Sequence, residues 1–431
     1  MGVQTAAGTV AAEPAGYRLG PAHGTALLLG AVLGPGVLAL PHLAAAAAGP
    51  ASVVAWAALV ALSVPVAATF AALGARFPDG GGVATFAARA FGRRTAAAVG
   101  WWFYAAVPVG SLAAAVIGAQ YVTDGLGLGP DGLPAVTAGL LTAAFAVNYA
   151  GLRVSGPVQL ALVALLSALL VVGVLVAAPA MRSAHFSPFA PHGWLGVGAA
   201  VGVLFFAFVG WEAASHLSAD FADPRRQLPR ATLVTLVVVG VLYLSLAVTT
   251  IGVLGDRAAS SPVPLTLLLE RGIGRSAGPL TAVVAVLLTF GVINTYLAGS
   301  ARLGAALARD GALPRMLAKG GAPGQVPRRS LTVLAVTAGT LTVASLIWEI
   351  PLDALIRATS ACLAAVIMVG LTAAMRLLPR PGWGHRSAVL ATGFTAVVLA
   401  ACGPYLAVPA VLGLAAVGVR RMVRARTGPP S

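Results

Sequence analysis

The chain has 431 residues, of which 59% are hydrophobic and 9% are charged, and its mean hydropathy is +0.93. A soluble domain of this length needs more surface charge, so the composition excludes one and predicts an all-α integral membrane protein. The net charge of +15 raises nucleic acid as a partner. The basic residues are scattered over many short loops, which argues against nucleic acid and leaves membrane lipid as the expected surroundings.

Twelve hydrophobic segments follow one another along the chain, and most have the length of about 20 residues that a helix needs to cross a bilayer. Residues 1–20 lack the apolar core of a signal peptide, so we expect the first segment to remain in the membrane. The last two segments are short and meet at a tight turn, Gly403-Pro404. The predicted spans are 21–46, 51–74, 96–122, 134–150, 157–179, 195–219, 231–255, 278–303, 330–348, 354–376, 387–402 and 404–420.

The basic residues are distributed unevenly between the two sides of these spans. If the N-terminus is cytoplasmic, 22 of the 27 Lys and Arg residues fall in inner segments and five fall in outer segments. Inner loops of membrane proteins are enriched in Lys and Arg, so this distribution predicts that both termini are cytoplasmic.

The spans form two units of five, residues 21–179 and 195–376, followed by a pair at 387–420. Because five is odd, consecutive units enter the membrane from opposite sides, and they are inverted repeats if they share a fold. Residues 1–20 and 421–431 are predicted cytoplasmic tails. We infer this symmetry from the topology, since no residue-by-residue repeat is evident beyond the two helix breaks described next.

Two spans are interrupted by glycine near their midpoints, at Leu33-Gly34-Pro35-Gly36-Val37 and at Phe208-Val209-Gly210-Trp211-Glu212. A broken helix exposes backbone N–H and C=O groups, which the membrane tolerates only at a cavity or inside protein. Paired breaks in two halves point to the central site of a secondary transporter. The alternative is close helix packing, for which glycine is common in membrane spans.

The first break is expected to bind a carboxylate. The half-helix that starts near Val37 directs its free N–H groups and the positive end of its dipole toward the break. A carboxylate is therefore expected to bind there, beside Gly34, Pro35 and Gly36. Pro35 has no N–H, which removes one candidate donor, but it suits the start of a helix.

The second break has the opposite polarity, because its outer half-helix ends near Phe208 and offers free carbonyl groups to an ammonium. Together the two breaks match the zwitterion of an α-amino acid. The remaining expected site residues are the apolar walls and gates Phe206 and Trp211, with Val209 and Gly210 at the break itself. For the aromatic residues the alternative is packing against lipid or the protein core.

Glu212 is the one acidic residue of the 12 that lies well inside a predicted span, and His216 follows it by about one helical turn. An intramembrane carboxylate is a candidate functional group, and one in apolar surroundings can exchange a proton near neutral pH. We expect Glu212 and His216 to couple transport to protons. The alternatives are a structural Glu212 that bonds the broken backbone and a His216 that is only a hydrogen-bonding partner.

No cofactor, metal site or catalytic group is expected. Cys362 and Cys402 lie in apolar runs, which supports neither a disulfide nor a metal site. A membrane-embedded transferase needs a pair of acidic residues to bind a metal. The only such pair near the second break is Asp220 and Asp223. An enzyme therefore remains a remote alternative, and a non-transporting scaffold is another. The oligomeric state is not predicted.

Several sequence stretches resemble those of the amino acid–polyamine–organocation permeases, and the similarity extends over nearly the whole chain. The first break lies in a stretch that is similar to the family's first-span signature. The second break lies in the most specific stretch, which continues into the loop that follows it. The stretches are LGPGVLALP at 33–41, FPDGGG at 77–82, FAFVGWE at 206–212, DPRRQLPRA at 223–231 and ARDGALP at 308–314.

The resemblance implies a five-plus-five inverted-repeat (LeuT-like) fold with helices 1 and 6 discontinuous, two extra helices, and alternating access in a bacterial cell membrane. Within the family, the likeness to exporters of methionine and branched-chain amino acids implies proton-coupled efflux of methionine, leucine, isoleucine and valine. An uptake symporter or an exchanger of other amino acids remains an alternative. In relatives, backbone at the first break holds the carboxylate, the aromatic at the Phe206 position gates the site, and the Glu212 position affects the proton response. Relatives usually carry Ser or Thr where this chain has Pro35.

Overall fold

The computed structural model describes residues 20–78, 82–151, 156–212, 214, 217–218, 221–321 and 325–427. These residues fold into α-helices joined by turns and short 3-10 helices. The helices are α1 Pro21–Val32, α2 Gly36–Ala48, α3 Ser52–Arg76, α4 Gly82–Phe91, α5 Arg93–Leu126, α6 Leu133–Tyr149, α7 Gly156–Ala177, α8 Gly193–Leu204, α9 Pro224–Leu254, α10 Pro264–Ile273, α11 Ala277–Arg309, α12 Arg328–Ile347, α13 Leu352–Leu377, α14 Trp383–Ala401 and α15 Ala407–Thr427.

Each predicted span overlaps at least one of these helices, so the predicted all-α class is confirmed. Besides the single helical turn Arg257–Ser260, two helices of the described part of the chain lie outside the predicted spans: α4, between α3 and α5, and α10, which precedes α11. Each has only 10 residues, too few to cross a bilayer, and its apolar residues gather on one face. α4 packs against α5 and α13, whereas α10 packs against α7 and α11.

Within the described residues, eight helical segments are long and apolar enough to cross a membrane, or nine if the bent pair α14 and α15 is counted as one span. This is fewer than the twelve predicted spans because α1 and α8 have only 12 residues each, α2 is counted together with α3, and α14 and α15 pass only as a pair. One of the eight segments, Gly36–Arg76, also runs through the 3-10 turn Gly49–Ala51 and so joins α2 to α3. The axes of α14 and α15 bend by 111° at Gly403.

Both glycine-containing breaks interrupt helical structure. α1 ends at Val32 and α2 begins at Gly36, one residue before the predicted start. α8 ends at Leu204 and continues as the 3-10 turn Phe205–Phe208. Residues 209–212 are not helical, and most of the predicted remainder of this span lies outside the described residues.

The two interrupted elements are enclosed by long helices. α5 lies at the centre and packs extensively against α11 and α13. α1 packs against α9, and α2 packs against α8, so the two breaks are brought side by side. By contrast, α6 and α12 are peripheral: in the most apolar part of each, 22% of the residues are buried, against 67% in α5. The breaks therefore lie in the best-protected part of the bundle.

Candidate functional site

A cavity lies at the first break, with an empty volume of about 700 Å³ when its open mouth is included. Five of the predicted site residues line it: Gly34, Pro35, Gly36, Phe206 and Val209. The other four predicted binding residues do not contribute to its wall. The remaining lining residues come from both breaks and from α5, α11 and α13: Gly30, Ala31, Val32, Phe103, Ala106, Val107, Gly110, Ser111, Ala114, Ala207, Val292, Ile293, Tyr296, Thr359 and Leu363.

The backbone at the first break leaves one N–H group available. The Gly34 N–H donates to the Val32 carbonyl at 3.0 Å, and the Val37 N–H donates to the Gly34 carbonyl at 3.3 Å. Pro35 has no N–H and takes the N-cap position of α2. The N–H of Gly36 has no acceptor among the described residues, as expected for the first residue of a helix. Val37 is buried away from the cavity.

Phe206 lies across the cavity between α2 and α5. A Cβ atom on Gly36 would lie 2.9 Å from Cδ1 of the Phe206 ring, and one on Gly110 would lie 3.9 Å from Cε2. By contrast, a Cβ on Gly34 would meet nothing within 4 Å. Gly36 is therefore the position at which the ring touches the broken backbone, whereas Gly34 faces open space.

Gly210 makes a close contact between the two breaks. Its φ is +121°, a conformation that favours glycine, and a Cβ at this position would lie 2.3 Å from the carbonyl oxygen of Ala31. Because no other side chain fits this space, the backbones of the two interrupted spans pack directly on each other. Gly210 thus lies behind the cavity wall formed by Ala31 and Val209.

The Glu212 carboxylate satisfies backbone at the second break. Its Oε2 accepts a hydrogen bond from the Gly210 N–H at 2.9 Å, and the side chain is 5% exposed. Glu212 does not line the cavity. This arrangement agrees with the structural alternative, in which Glu212 bonds the broken backbone. The hydrogen bond is strongest when the carboxylate is charged, so its strength depends on the protonation state of Glu212. His216 and Asp220 lie outside the described residues.

Phe208 and Trp211 point away from the cavity. The Phe208 ring packs edge-to-face on Tyr243, with centroids 5.3 Å apart, and lies 5.9 Å from the ring of Trp56. The Trp211 Nε1–H donates to the Ser63 hydroxyl at 3.0 Å. In this structure these two predicted binding residues anchor the second break to α3 and α9, which matches the packing alternative.

Tyr243, on α9, connects the two breaks. Its fully buried hydroxyl lies 3.1 Å from the carbonyl oxygen of Val32 and 3.3 Å from that of Ala207. The first carbonyl belongs to the end of α1, and the second belongs to the 3-10 turn Phe205–Phe208 that follows α8. One hydroxyl proton therefore lies between carbonyl oxygens of both interrupted helices, and the Val32 oxygen also accepts from the Gly34 N–H.

Sequence reasoning did not identify the polar side chains of the cavity. Ser111 and Tyr296 line it, and neither hydroxyl has a hydrogen bond to a described residue, whereas the Thr359 hydroxyl donates to the Leu355 carbonyl at 2.8 Å. Tyr243 was also missed. The only signal for these residues is a hydroxyl inside an apolar span, and such hydroxyls occur in most of the spans.

The described residues contain no group of three or more His, Cys, Asp or Glu side chains that could hold a metal ion. Cys362 and Cys402 are both free and buried. The polar groups at the cavity are therefore backbone and hydroxyl groups. Such a site can bind a small ligand through hydrogen bonds.

Tyr243→Phe is expected to destabilise the fold by about 1–3 kcal/mol, because the buried Ala207 carbonyl loses its donor and the Val32 carbonyl loses one of its two donors, while the ring packing is kept. Thermal unfolding of the purified protein in detergent measures this change. Tyr149→Phe is the control, since Tyr149 is exposed at the end of α6. Equal melting temperatures for Tyr243→Phe and the control would contradict the role of the hydroxyl.

Gly210→Ala is expected to destabilise the fold by at least about 2 kcal/mol, because alanine is strained at this φ and its Cβ meets the Ala31 carbonyl. Gly34→Ala is the matched control, since its Cβ enters open space. The yield of monodisperse protein and its melting temperature distinguish the two. The close contact is wrong if both variants behave like the wild type.

Comparison with known proteins supports one family. The family model described as amino acid permease matches residues 19–416. An uncharacterized amino acid permease of Bacillus subtilis strain 168, YecA, is 32% identical over 393 residues, which cover 91% of this chain and 93% of the relative. The L-methionine/branched-chain amino acid exporter YjeH of Escherichia coli K12 is 32% identical over 372 residues, 84% of this chain and 86% of the exporter.

A third relative, the branched-chain amino acid permease BcaP of Bacillus subtilis strain 168, is 27% identical over 321 residues, 70% of this chain and 69% of the relative. The family model and the first two relatives each cover most of the chain. The chain is a multi-pass membrane protein, and it belongs to the amino acid permease family of the amino acid–polyamine–organocation superfamily.

Proposed function

We propose that this protein is a secondary active transporter of neutral hydrophobic amino acids, which it exports in exchange for protons by alternating access. The observation that carries the proposal is the cavity at the first break, with a free N–H at one end and helix-end carbonyls beside it. Its substrates in this proposal are methionine, leucine, isoleucine and valine. The transporter family of the relatives supports transport rather than enzyme chemistry.

The carboxylate of the substrate binds at Gly36. The Gly36 N–H is free among the described residues, and it lies at the start of α2, where the helix dipole favours a negative charge. The same residue touches Phe206, so a bound carboxylate lies against the aromatic ring. Gly34, with open space around it, provides room for the ligand.

The ammonium group binds at the carbonyls of Val32 and Ala207. Both residues line the cavity, and both carbonyls accept from the Tyr243 hydroxyl. A carbonyl oxygen has two lone pairs, so the Ala207 oxygen retains the capacity to accept a hydrogen bond from an ammonium. The Val32 oxygen already accepts from the Gly34 N–H and from the Tyr243 hydroxyl, and it attracts the ammonium through its partial negative charge. The ligand then joins the two breaks on the cavity side, as Tyr243 does on the buried side.

The substrate side chain is accommodated by an apolar wall. Val107 and Ala114 of α5, Val292 and Ile293 of α11, and Leu363 of α13 line the cavity. No described lining residue carries an acidic side chain. This surface favours neutral apolar side chains and disfavours polyamines and arginine, whose cations would be buried without a partner.

Glu212 is the proton-coupling residue in this proposal. Its charged form accepts a hydrogen bond from the Gly210 N–H, and Gly210 packs on the first break. Protonation weakens this bond because it removes the charge that strengthens it. The geometry of both breaks then depends on the protonation state of Glu212. We propose His216 as its partner.

The membrane arrangement in this proposal has twelve spans in a five-plus-five inverted repeat with two further helices. The repeats are residues 21–179 and 195–376, and spans 11 and 12 lie in 387–420. The N- and C-terminal tails are cytoplasmic in a bacterial cell membrane. The skewed distribution of Lys and Arg supports this orientation.

Uptake of the same amino acids is the alternative direction. It is supported by the relative named as a branched-chain amino acid permease, which matches a smaller part of the chain than the relative named as an exporter does. The first experiment is counterflow of radiolabelled leucine and methionine in proteoliposomes without sodium, at two internal pH values. We expect counterflow of both that changes with internal pH. Absence of counterflow with any neutral amino acid would contradict the proposed substrate class.

Gly36→Leu is expected to weaken leucine binding by at least about tenfold, because the leucine side chain displaces Phe206 and blocks the free N–H. Scintillation proximity with labelled leucine measures binding in detergent. Gly139→Leu is the control, since Gly139 is exposed on α6 with nothing within 4 Å of its Cβ position. Normal binding by a well-folded Gly36→Leu variant would contradict the carboxylate assignment.

Glu212→Gln is expected to abolish the dependence of net leucine flux on the pH gradient while leaving exchange of leucine for leucine largely intact. Glutamine keeps an acceptor oxygen for the Gly210 N–H but cannot exchange a proton. Flux measured across a pH gradient and exchange measured without one separate the two effects. A pH dependence equal to that of the wild type would leave Glu212 with a structural role only.

A further inference from the structure

A second cavity lies apart from the first, where the end of α6 meets α11 and the start of α12. Its empty volume is about 330 Å³ when its open mouth is included. We name it the end crevice, and define it by Asn148 and Gly151 at the end of α6, Arg302 on α11, and Gln325 and Pro327 before α12. None of these residues takes part in the substrate site proposed above.

The floor of the end crevice is held by buried amides. Asn148 is 6% exposed, and its Nδ2 donates to the Ala144 carbonyl at 2.9 Å and to the Asn294 Oδ1. The bond to Asn294 connects α6 to α11, and the bond to Ala144 lies within α6. The crevice therefore has a fixed polar base between two transmembrane helices.

One arginine lines the crevice, and two more follow the lining residue Pro327 directly along the chain. Arg302 lines the crevice and is exposed. The Arg328 guanidinium lies 5.4 Å above the ring of Tyr149, and its Nε donates to the Tyr149 carbonyl at 3.3 Å. The Arg329 Nη1 donates to the Met316 carbonyl at 3.2 Å. Each of these last two contacts uses one of five guanidinium N–H groups, so both side chains are positioned yet retain donors. No acidic side chain is among the described lining residues.

The helices beside the opening expose apolar surface. α6 and α12 are the least buried of the helices long enough to span the membrane. On α12, Val333 and Val336 are 39% and 63% exposed, within three turns of Pro327. A ligand bound at the arginines thus has an apolar surface next to it on the membrane side.

We propose that the end crevice binds the phosphate of an anionic membrane phospholipid, with its acyl chains along α6 and α12. Guanidinium groups form charge-assisted hydrogen bonds with phosphate, and basic pockets between transmembrane helices suit anionic headgroups. The apolar surface beside the opening favours a lipid over free phosphate. Because both leaflets contain lipid phosphate, the site does not depend on which way the protein faces.

Native mass spectrometry of the purified full-length protein with added phosphatidylglycerol tests the site. We expect the double variant Arg302→Gln/Arg328→Gln to bind phosphatidylglycerol about tenfold more weakly than the wild type. The control is Arg380→Gln/Arg386→Gln, at the start of α14, a helix that packs on α3, α8 and α13. Unchanged binding in the crevice variant, or an equal loss in the control, would overturn the proposal.

A second variant keeps the charges and fills the space. Ala298 lines the end crevice, and Ala298→Leu is expected to weaken phosphatidylglycerol binding while leaving the melting temperature close to that of the wild type. Competition with inorganic phosphate identifies the source of the ligand. Little competition at millimolar phosphate supports a lipid site, whereas complete displacement would overturn it in favour of a free-anion site. The melting temperature of each variant shows that its fold is intact without reference to any substrate, so the outcome is independent of the proposed transport.

Discussion

The direct packing of two interrupted helices on each other is the constraint on which this structure depends. A break in mid-membrane leaves N–H and C=O groups without water, and each must find a partner inside the protein. Here the partners come from the second break and from the long helices around it. Gly210 lets the two backbones meet at Ala31, Glu212 accepts the Gly210 N–H, and Tyr243 serves carbonyls of both breaks. At the first break, the Gly36 N–H has no acceptor among the described residues, and it lies at the cavity.

This constraint separates the residues of the second break into two groups. Phe206 and Val209 face the cavity, whereas Phe208 and Trp211 pack behind it on α9 and α3. Phe208 and Trp211 fix the positions of Phe206 and Val209, because a turn that lacks regular helical hydrogen bonds is held in place by its side chains. Phe208, Tyr243 and Trp56 stabilise this turn through contacts between their rings and through the apolar surface that the rings bury.

Hydropathy and glycine positions are local properties, and they predict the helices and the interruption at residues 33–35 well. Which side of a broken segment faces the cavity depends on partners far along the chain. Trp211 was expected in the binding site, yet its partner Ser63 lies 148 residues away. Tyr243 lies 211 residues from Val32 and has no sequence signal that distinguishes it from other buried tyrosines. The surface helices α4 and α10 were missed for a different reason: each is too short and too polar to register in a search for spans.

In the proposed mechanism, ligand and proton act on the same contact between the breaks. A zwitterion bound to Gly36 and to the carbonyls of Val32 and Ala207 links the two interrupted helices from the cavity side. Glu212 stabilises the same junction from behind through the Gly210 N–H, and it does so most strongly while it is charged. Loss of that charge loosens the junction, and a bound ligand tightens it, so the two events have opposite effects on one structural element. A free-energy coupling between sites requires such a shared element with two arrangements, and exchange of amino acid for proton follows if each arrangement opens to a different side.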